Sequence, residues 1–121
     1  MPSSAACATP VGAIMVEETV TGTLSSTSCL LADSTHADVW TLVVPSLISL
    51  QIDLGSIAFD AVLFVRDTNG RLVVQDDDSG PDLDSRILHT FNAGTYRIYA
   101  NSYDRGDVGA YTLSVVELLT P

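Results

Sequence analysis

Acidic residues gather in one part of this sequence, around a predicted hairpin and the loop that follows it. Calcium in proteins takes about six to eight oxygen ligands, from carboxylates and from the carbonyls of flexible loops. One prediction is therefore a Ca²⁺ site, with these candidate ligands: Asp60, Asp76, Asp77, Asp78, Asp82 and Asp84. The spacing is not that of an EF-hand, because position twelve counted from Asp76 is Ile87. The alternative is a solvated acidic turn, with Arg66 and Arg86 as counter-charges.

The elements that must position these carboxylates are two short apolar runs, residues 61–65 and 72–74. Between them, residues 67–70 read Asp-Thr-Asn-Gly, which is typical of a tight turn because Asn and Gly tolerate positive φ. The pattern predicts a β-hairpin that delivers its carboxylates to one place. A second, weaker acidic pair is Asp104 and Asp107, for which a plain turn is the preferred interpretation.

Residue types associated with catalysis occur, but not in the arrangement that catalysis needs. Residues 78–80 read Asp-Ser-Gly, the letters of an aspartic protease motif, yet polar residues precede them where that motif needs an apolar setting. The two histidines, His36 and His89, have no Gly-x-Ser-x-Gly elbow to accompany them. The sequence therefore predicts a protein that is not an enzyme.

The two cysteines, Cys7 and Cys29, match no zinc-binding spacing. We expect a disulfide that ties the N-terminal segment to the first loop, which indicates an oxidising compartment. The alternatives are two free thiols and a bond between subunits.

Five aromatic side chains are candidates for stacking on a sugar. Alternation along the strands predicts that Trp40, Tyr96 and Tyr111 face the core. Tyr99 and Tyr103 are expected to be exposed and are the predicted ligand-binding residues, for a glycan or another protein.

The net charge of −10, with five arginines and no lysine, excludes several classes of partner. Without a basic patch the chain is not expected to bind nucleic acid or an anionic membrane surface. No apolar run approaches the roughly 20 residues that span a bilayer, so no membrane span is predicted.

Short stretches with alternating polarity follow one another along the chain, and none has a helical period. In residues 47–54, for example, Ile48, Leu50, Ile52 and Leu54 face one way and polar residues the other. Eight or nine such strands with frequent turns predict an all-β, antiparallel, jelly-roll-like β-sandwich. We assign residues 17–121 to this domain and residues 1–16 to an N-terminal arm, which includes an apolar stretch at 11–16 that can form a strand, in its own sheet or exchanged with a neighbour.

Several short motifs occur in one order between residues 17 and 116, and together they resemble the bacterial pre-peptidase C-terminal domain family. They are Gly-Thr-Leu at 22–24, Cys29, Ala-Asp-Val-Trp at 37–40, Phe-Asp-Ala-Val-Leu at 59–63, Asn-Gly at 69–70, Asp-Asp-Asp-Ser-Gly at 76–80, Ser-Arg-Ile at 85–87, Ala-Gly-Thr-Tyr at 93–96 and Gly-Ala-Tyr-Thr-Leu-Ser-Val at 109–115. The resemblance implies a jelly-roll-like sandwich in exported bacterial proteins, usually beside a protease or another secreted enzyme. Some relatives bind calcium, and some bind collagen or polysaccharide. The family pattern of Asp60, Asp76 and Asp77 with Ser85 implies a hydrogen-bond network even without metal.

These observations leave two functions open for an extracellular, non-catalytic module. The first is a structural subunit that assembles with copies of itself, into a filament or a surface, when the arm pairs with the open sheet edge of a neighbour. The second is an accessory domain that binds polysaccharide or an extracellular protein such as collagen. An enzyme has no supporting constellation.

Overall fold

The computed structural model describes Cys7 and residues 9–77 and 84–118, and this part of the chain forms two packed β-sheets. Its ten strands are β1 (Gly12–Ile14), β2 (Glu18–Leu24), β3 (Cys29–Leu30), β4 (His36–Val44), β5 (Ile48–Gly55), β6 (Ala61–Asp67), β7 (Leu72–Asp77), β8 (Ser85–Phe91), β9 (Gly94–Ser102) and β10 (Gly109–Glu117). The prediction of an all-β sandwich is confirmed. The described residues contain no helix that is long and apolar enough to cross a membrane.

The two sheets differ in size and each has open edges. The first has the order β1-β4-β9-β6-β7, and the short β3 pairs with β4 beside β1. The second has the order β2-β10-β5-β8. The pair of β1 with β4 is parallel, with Gly12 opposite Trp40, and the other pairs are antiparallel.

The main core lies between the sheets and follows the predicted alternation. Leu50, Ile52 and Leu54 of β5 are completely buried, and Leu113 and Val115 of β10 meet them from the neighbouring strand. Burial of such apolar side chains is the main driving force of the fold, at about 25 cal/mol for each Å² removed from water.

Strand β3 was not expected, because Cys29 was assigned to the first loop. It has only two residues and pairs with β4 through Cys29 opposite Ala37. The predicted hairpin of β6 and β7 is present. In its turn only Gly70 has a positive φ, of 81°, and the Asp67 carboxylate accepts hydrogen bonds from the Asn69 and Arg71 amides.

A second, smaller hydrophobic cluster covers the outer face of the first sheet. It contains Cys7, Ala37, Val39, Phe64 and Tyr99, all buried. Phe64 and Tyr99 are opposite each other on β6 and β9, and their rings stack with centroids 4.5 Å apart. We call these five residues the outer cluster.

The predicted disulfide between Cys7 and Cys29 is present within one chain, with Cα atoms 5.2 Å apart. It holds Cys7 in the outer cluster. For this reason the expectation that Tyr99 is exposed is wrong: the side chain points away from the main core, as the alternation indicates, but is only 7% exposed because it lies in one cluster with Cys7, Val39 and Phe64. Tyr103 is exposed as expected, at 60%.

The described part of the N-terminal arm lies on its own sheet. The Val11 amide donates to the Val39 carbonyl at 2.8 Å, and β1 continues this pairing along β4. Exchange of this strand with a neighbour stays a prediction.

We predict that replacing both cysteines by alanine, C7A/C29A, lowers the free energy of unfolding by about 2–4 kcal/mol, because the cross-link closes a chain segment that is otherwise free in the unfolded state. The sandwich should still fold, since the main core contains neither cysteine. Urea denaturation followed by tyrosine and tryptophan fluorescence measures the change. A double variant as stable as the parent would show that the cross-link does not stabilise the fold.

Candidate functional site

The three predicted calcium ligands whose side chains the structure describes lie in two different places. Asp60 and Asp84 line one open depression of about 900 Å³, together with Asp107. Asp76 lies on β7 and lines a different depression. Asp78 and Asp82, and the side chain of Asp77, lie outside the described residues. Within those residues no three acidic, histidine or cysteine side chains are arranged to hold a metal ion. Calcium binding therefore stays a prediction.

Asp76 and Ser85 join the edges of the two sheets. The Arg86 amide donates to Asp76 Oδ2 at 2.9 Å. The Ser85 hydroxyl contacts two carbonyl oxygens, donating to Ala61 at 2.7 Å and lying 3.1 Å from that of Asp76. Because β7 and β8 belong to different sheets, these bonds close one side of the sandwich. These hydrogen bonds give Asp76 and Ser85 a structural role, and both residues belong to the pattern that the family resemblance implies.

The arginines that were considered as counter-charges for the acidic loop have other contacts. Arg86 Nε lies 2.7 Å from Asp53 Oδ1 on the outer face of the second sheet. The Arg66 guanidinium carbon lies 5.3 Å from the centre of the Phe64 ring and 5.5 Å from that of Tyr99, within reach of a cation–π interaction.

A buried polar network connects the two sheets. Tyr111 Oη on β10 donates to Asp38 Oδ2 on β4 at 2.5 Å, and Trp40 Nε1 donates to Tyr111 Oη at 2.9 Å. Burial, followed by the hydrogen bond to Asp38, raises the pKa of the Tyr111 phenol. A Cβ atom on Gly22 would overlap the Tyr111 ring, so glycine is needed opposite this tyrosine on β2. Sequence analysis predicted correctly that Trp40 and Tyr111 face the core, but it missed the buried Asp38. The available signal was that Asp38 lies two residues before Trp40 on an alternating strand, which places both side chains on the same face.

Tyr103 stands beside a polar depression on the outer face of the first sheet. The depression has a volume of about 460 Å³ and is lined by Asp33, Val62, Gln75, Asp76, Asn101, Ser102 and Tyr103. On the other side of Tyr103 a second depression of about 540 Å³ shares Asp33 with the first and includes Arg105. We call the first of these the Tyr103 groove.

Hydrogen bonds fix the polar side chains of the groove. Asn101, only 3% exposed, donates through Nδ2 to Thr35 Oγ1 at 2.9 Å and to the His36 carbonyl at 2.7 Å. The Thr35 hydroxyl donates in turn to Asp33 Oδ1 at 2.6 Å. Sequence analysis identified Tyr103, but not Asp33 or Asn101, because these residues meet only when β9 pairs with β4.

The two histidines lie on strands of different sheets, His36 on β4 and His89 on β8. His36 Nδ1 is 3.1 Å from the Ser28 carbonyl oxygen, and His89 makes an edge contact with Phe91.

Solved structures share this fold, although no protein-family model and no curated protein matches the sequence. The pre-peptidase C-terminal domain of a collagenase from Bacillus anthracis superimposes with a TM-score of 0.67 and 22% identity, over 88% of this chain and 96% of that one. PliG from Aeromonas hydrophila, a periplasmic inhibitor of g-type lysozyme, superimposes with a TM-score of 0.59 and 11% identity, over 90% and 98%. The chain therefore has the fold of a pre-peptidase C-terminal domain, as the sequence motifs indicated.

We predict that Tyr111→Phe lowers the free energy of unfolding by about 2–4 kcal/mol, because it leaves the buried Asp38 carboxylate without its donor. Tyr96→Phe is the matched control: it removes a hydroxyl that bonds an exposed carbonyl, and should cost under about 1 kcal/mol. Urea denaturation of the three proteins measures both values.

The pH dependence distinguishes this network from packing alone. Since the folded state raises the pKa of Tyr111, its contribution to stability is complete below the unfolded pKa of about 10 and is lost as pH rises through the folded value. The advantage of the parent over Tyr111→Phe should therefore shrink above pH ~10, by about 1.4 kcal/mol per pH unit. A constant difference would contradict a buried, protonated phenol.

Proposed function

We propose that this chain is a non-catalytic extracellular module that binds polysaccharide through the Tyr103 groove, on a fold shared with the pre-peptidase C-terminal domain of a collagenase. The observation that carries the proposal is an exposed tyrosine beside a concave surface whose polar groups are held by internal hydrogen bonds. Sugar sites need an aromatic ring for the C–H face and fixed polar groups for the hydroxyls. Groups that are held in place before binding lose little conformational entropy.

Location outside the cell is supported by the disulfide, since such bonds persist in oxidising environments. Absence of catalysis is supported by the separation of the two histidines, which lie on strands of different sheets. Collagen or another extracellular protein is the alternative ligand, and the binding experiment separates the two.

We predict that the protein sediments with an insoluble polysaccharide, tested with cellulose and chitin, and that Tyr103→Ala reduces the bound fraction at least about tenfold through loss of ring stacking. Leu47→Ala, an exposed apolar residue in the turn before β5, is the control and should bind like the parent. Binding to fibrillar collagen alone would favour the protein ligand. Binding that is indifferent to Tyr103→Ala would remove the groove from the proposal.

Self-assembly is a second candidate, because apolar side chains are exposed at one edge of the first sheet. Val11 and Met15, at the two ends of β1, are 58% and 68% exposed, and Val43 on β4 is 60% exposed. Open sheet edges with apolar side chains are common sites of strand addition. In this candidate the partner is a copy of the same chain, and calcium at the acidic loop stabilises the subunit.

We predict that, if this candidate holds, light scattering after size-exclusion chromatography shows oligomers that Met15→Glu converts to monomers. Added CaCl₂ should raise the melting temperature, since a ligand that binds only the folded state stabilises it. A monomer at all concentrations, with and without calcium, would rule the assembly out.

A further inference from the structure

Two of the five arginines in this strongly acidic chain lie directly opposite each other on the first sheet, Arg66 on β6 and Arg97 on β9. Both side chains belong to the outer face, because Phe64 and Tyr99 of the outer cluster lie two positions from them on the same strands. Arg71, exposed at the start of the strand that pairs with β6, adds a third positive charge nearby. Like charges opposite each other on paired strands repel, so such a pair is stabilised by a negative group between them.

No carboxylate of the described residues neutralises this arginine pair. The salt bridge that the described part of the chain contains is that of Arg86 with Asp53, on the other sheet. Asp67 follows Arg66 directly on β6, but its carboxylate accepts hydrogen bonds from two amides of the hairpin turn. The negative group that suits the pair must therefore come from a ligand.

The Arg66 guanidinium is held in place and keeps donors to spare. It lies over the rings of Phe64 and Tyr99, and Nη1 donates to the Gly70 carbonyl at 3.3 Å. Its Nε is buried and has no hydrogen-bond partner within the described residues. A guanidinium has five N–H donors around its edge, and stacking of its flat face on an aromatic ring leaves that edge available. Arg97 makes no side-chain hydrogen bond or ion pair in the described part of the chain.

We propose that Arg66 and Arg97 together bind one tetrahedral oxyanion, a sulfate or phosphate group, on the outer face of the first sheet. The oxygens of such a group point in several directions, so that two guanidinium forks can hold it at once, whereas a carboxylate is matched by a single fork. Thr41, opposite Arg97 on β4, places a hydroxyl donor on the same face. Asn101 of the Tyr103 groove is four residues away along β9, roughly 13 Å, so the two sites are separate and the inference does not rest on polysaccharide binding.

The net charge of −10 limits how this group can be presented. A long polyanion brings many negative charges close to the acidic remainder of the protein and is repelled, whereas a single charged group meets the arginine pair alone. We therefore expect either a free inorganic ion or one sulfate or phosphate ester on an otherwise neutral molecule.

Heteronuclear NMR of isotope-labelled protein observes these side chains directly, because each arginine Nε–Hε group gives its own signal at mildly acidic pH. Sodium sulfate should shift the Arg66 and Arg97 signals saturably, with a dissociation constant in the millimolar range or below, whereas sodium chloride at equal ionic strength should not. The signals of Arg86 and Arg105 are the internal controls and should respond equally to both salts. Sodium acetate should bind at least about fivefold more weakly than sulfate.

Two variants test whether the pair is the binding element. Arg97→Gln should weaken sulfate binding at least about tenfold, measured on the Arg66 signal, since one of the two cations is lost. Arg105→Gln removes the same charge from the connection between β9 and β10 and should leave the affinity unchanged. Arg66→Lys keeps the charge without the fork and should weaken binding several fold, measured on the Arg97 signal.

The titration of the parent protein decides the inference without any variant. Arg66 and Arg97 signals that respond alike to sulfate and chloride would overturn the site, and equal sulfate affinity of Arg97→Gln and the parent would overturn the pair as its basis. A response to inorganic sulfate but not to monosulfated N-acetylglucosamine would overturn the sugar ester as a source and leave the free ion. A heparin oligosaccharide that binds more tightly than the single ester would overturn the restriction to isolated charges.

Discussion

The hydrogen bonds among Asp38, Tyr111 and Trp40 set the relation of the two sheets to each other. Apolar side chains can pack at many offsets, whereas a carboxylate that is removed from water needs one particular donor. Because Asp38 and Trp40 belong to β4 and Tyr111 to β10, this requirement fixes one sheet on the other. Three motifs of the family resemblance, at 22–24, 37–40 and 109–115, contribute residues to this one network, since Gly22 leaves the space for the tyrosine ring.

The Tyr103 groove and the main core are formed by opposite faces of the same strands, so the position of the groove depends on how the core is packed. On β4 and β9, inward residues such as Trp40 and Ile98 build the core, and outward residues face the opposite side of the sheet. The outward side is divided. One part carries the outer cluster, with Cys7, and is apolar, and the other part, around Asn101 and Val62, is open and polar. A single sheet thus serves as a wall of the core and as the floor of the Tyr103 groove.

Much of the fold could be predicted from the sequence because alternation is a local property. The strands, the hairpin turn at 67–70 and the inward aromatic residues all follow from neighbours within a few positions. The groove could be predicted only in part: Tyr103 was identified by type, while Asp33 and Asn101 are 68 residues apart and meet through strand pairing. The burial of Tyr99 was missed for the same kind of reason, since the cover over it comes from Cys7, 92 positions earlier.

The outer cluster gives the molecule two cores of very unequal size. The smaller contains five buried residues and one covalent link, and the larger unites the two sheets. Regions with few buried contacts open by local fluctuations at a free energy well below that of global unfolding. The amide of Val11, which bonds to β4 beside the outer cluster, should therefore exchange with solvent deuterium sooner than the amides of β5.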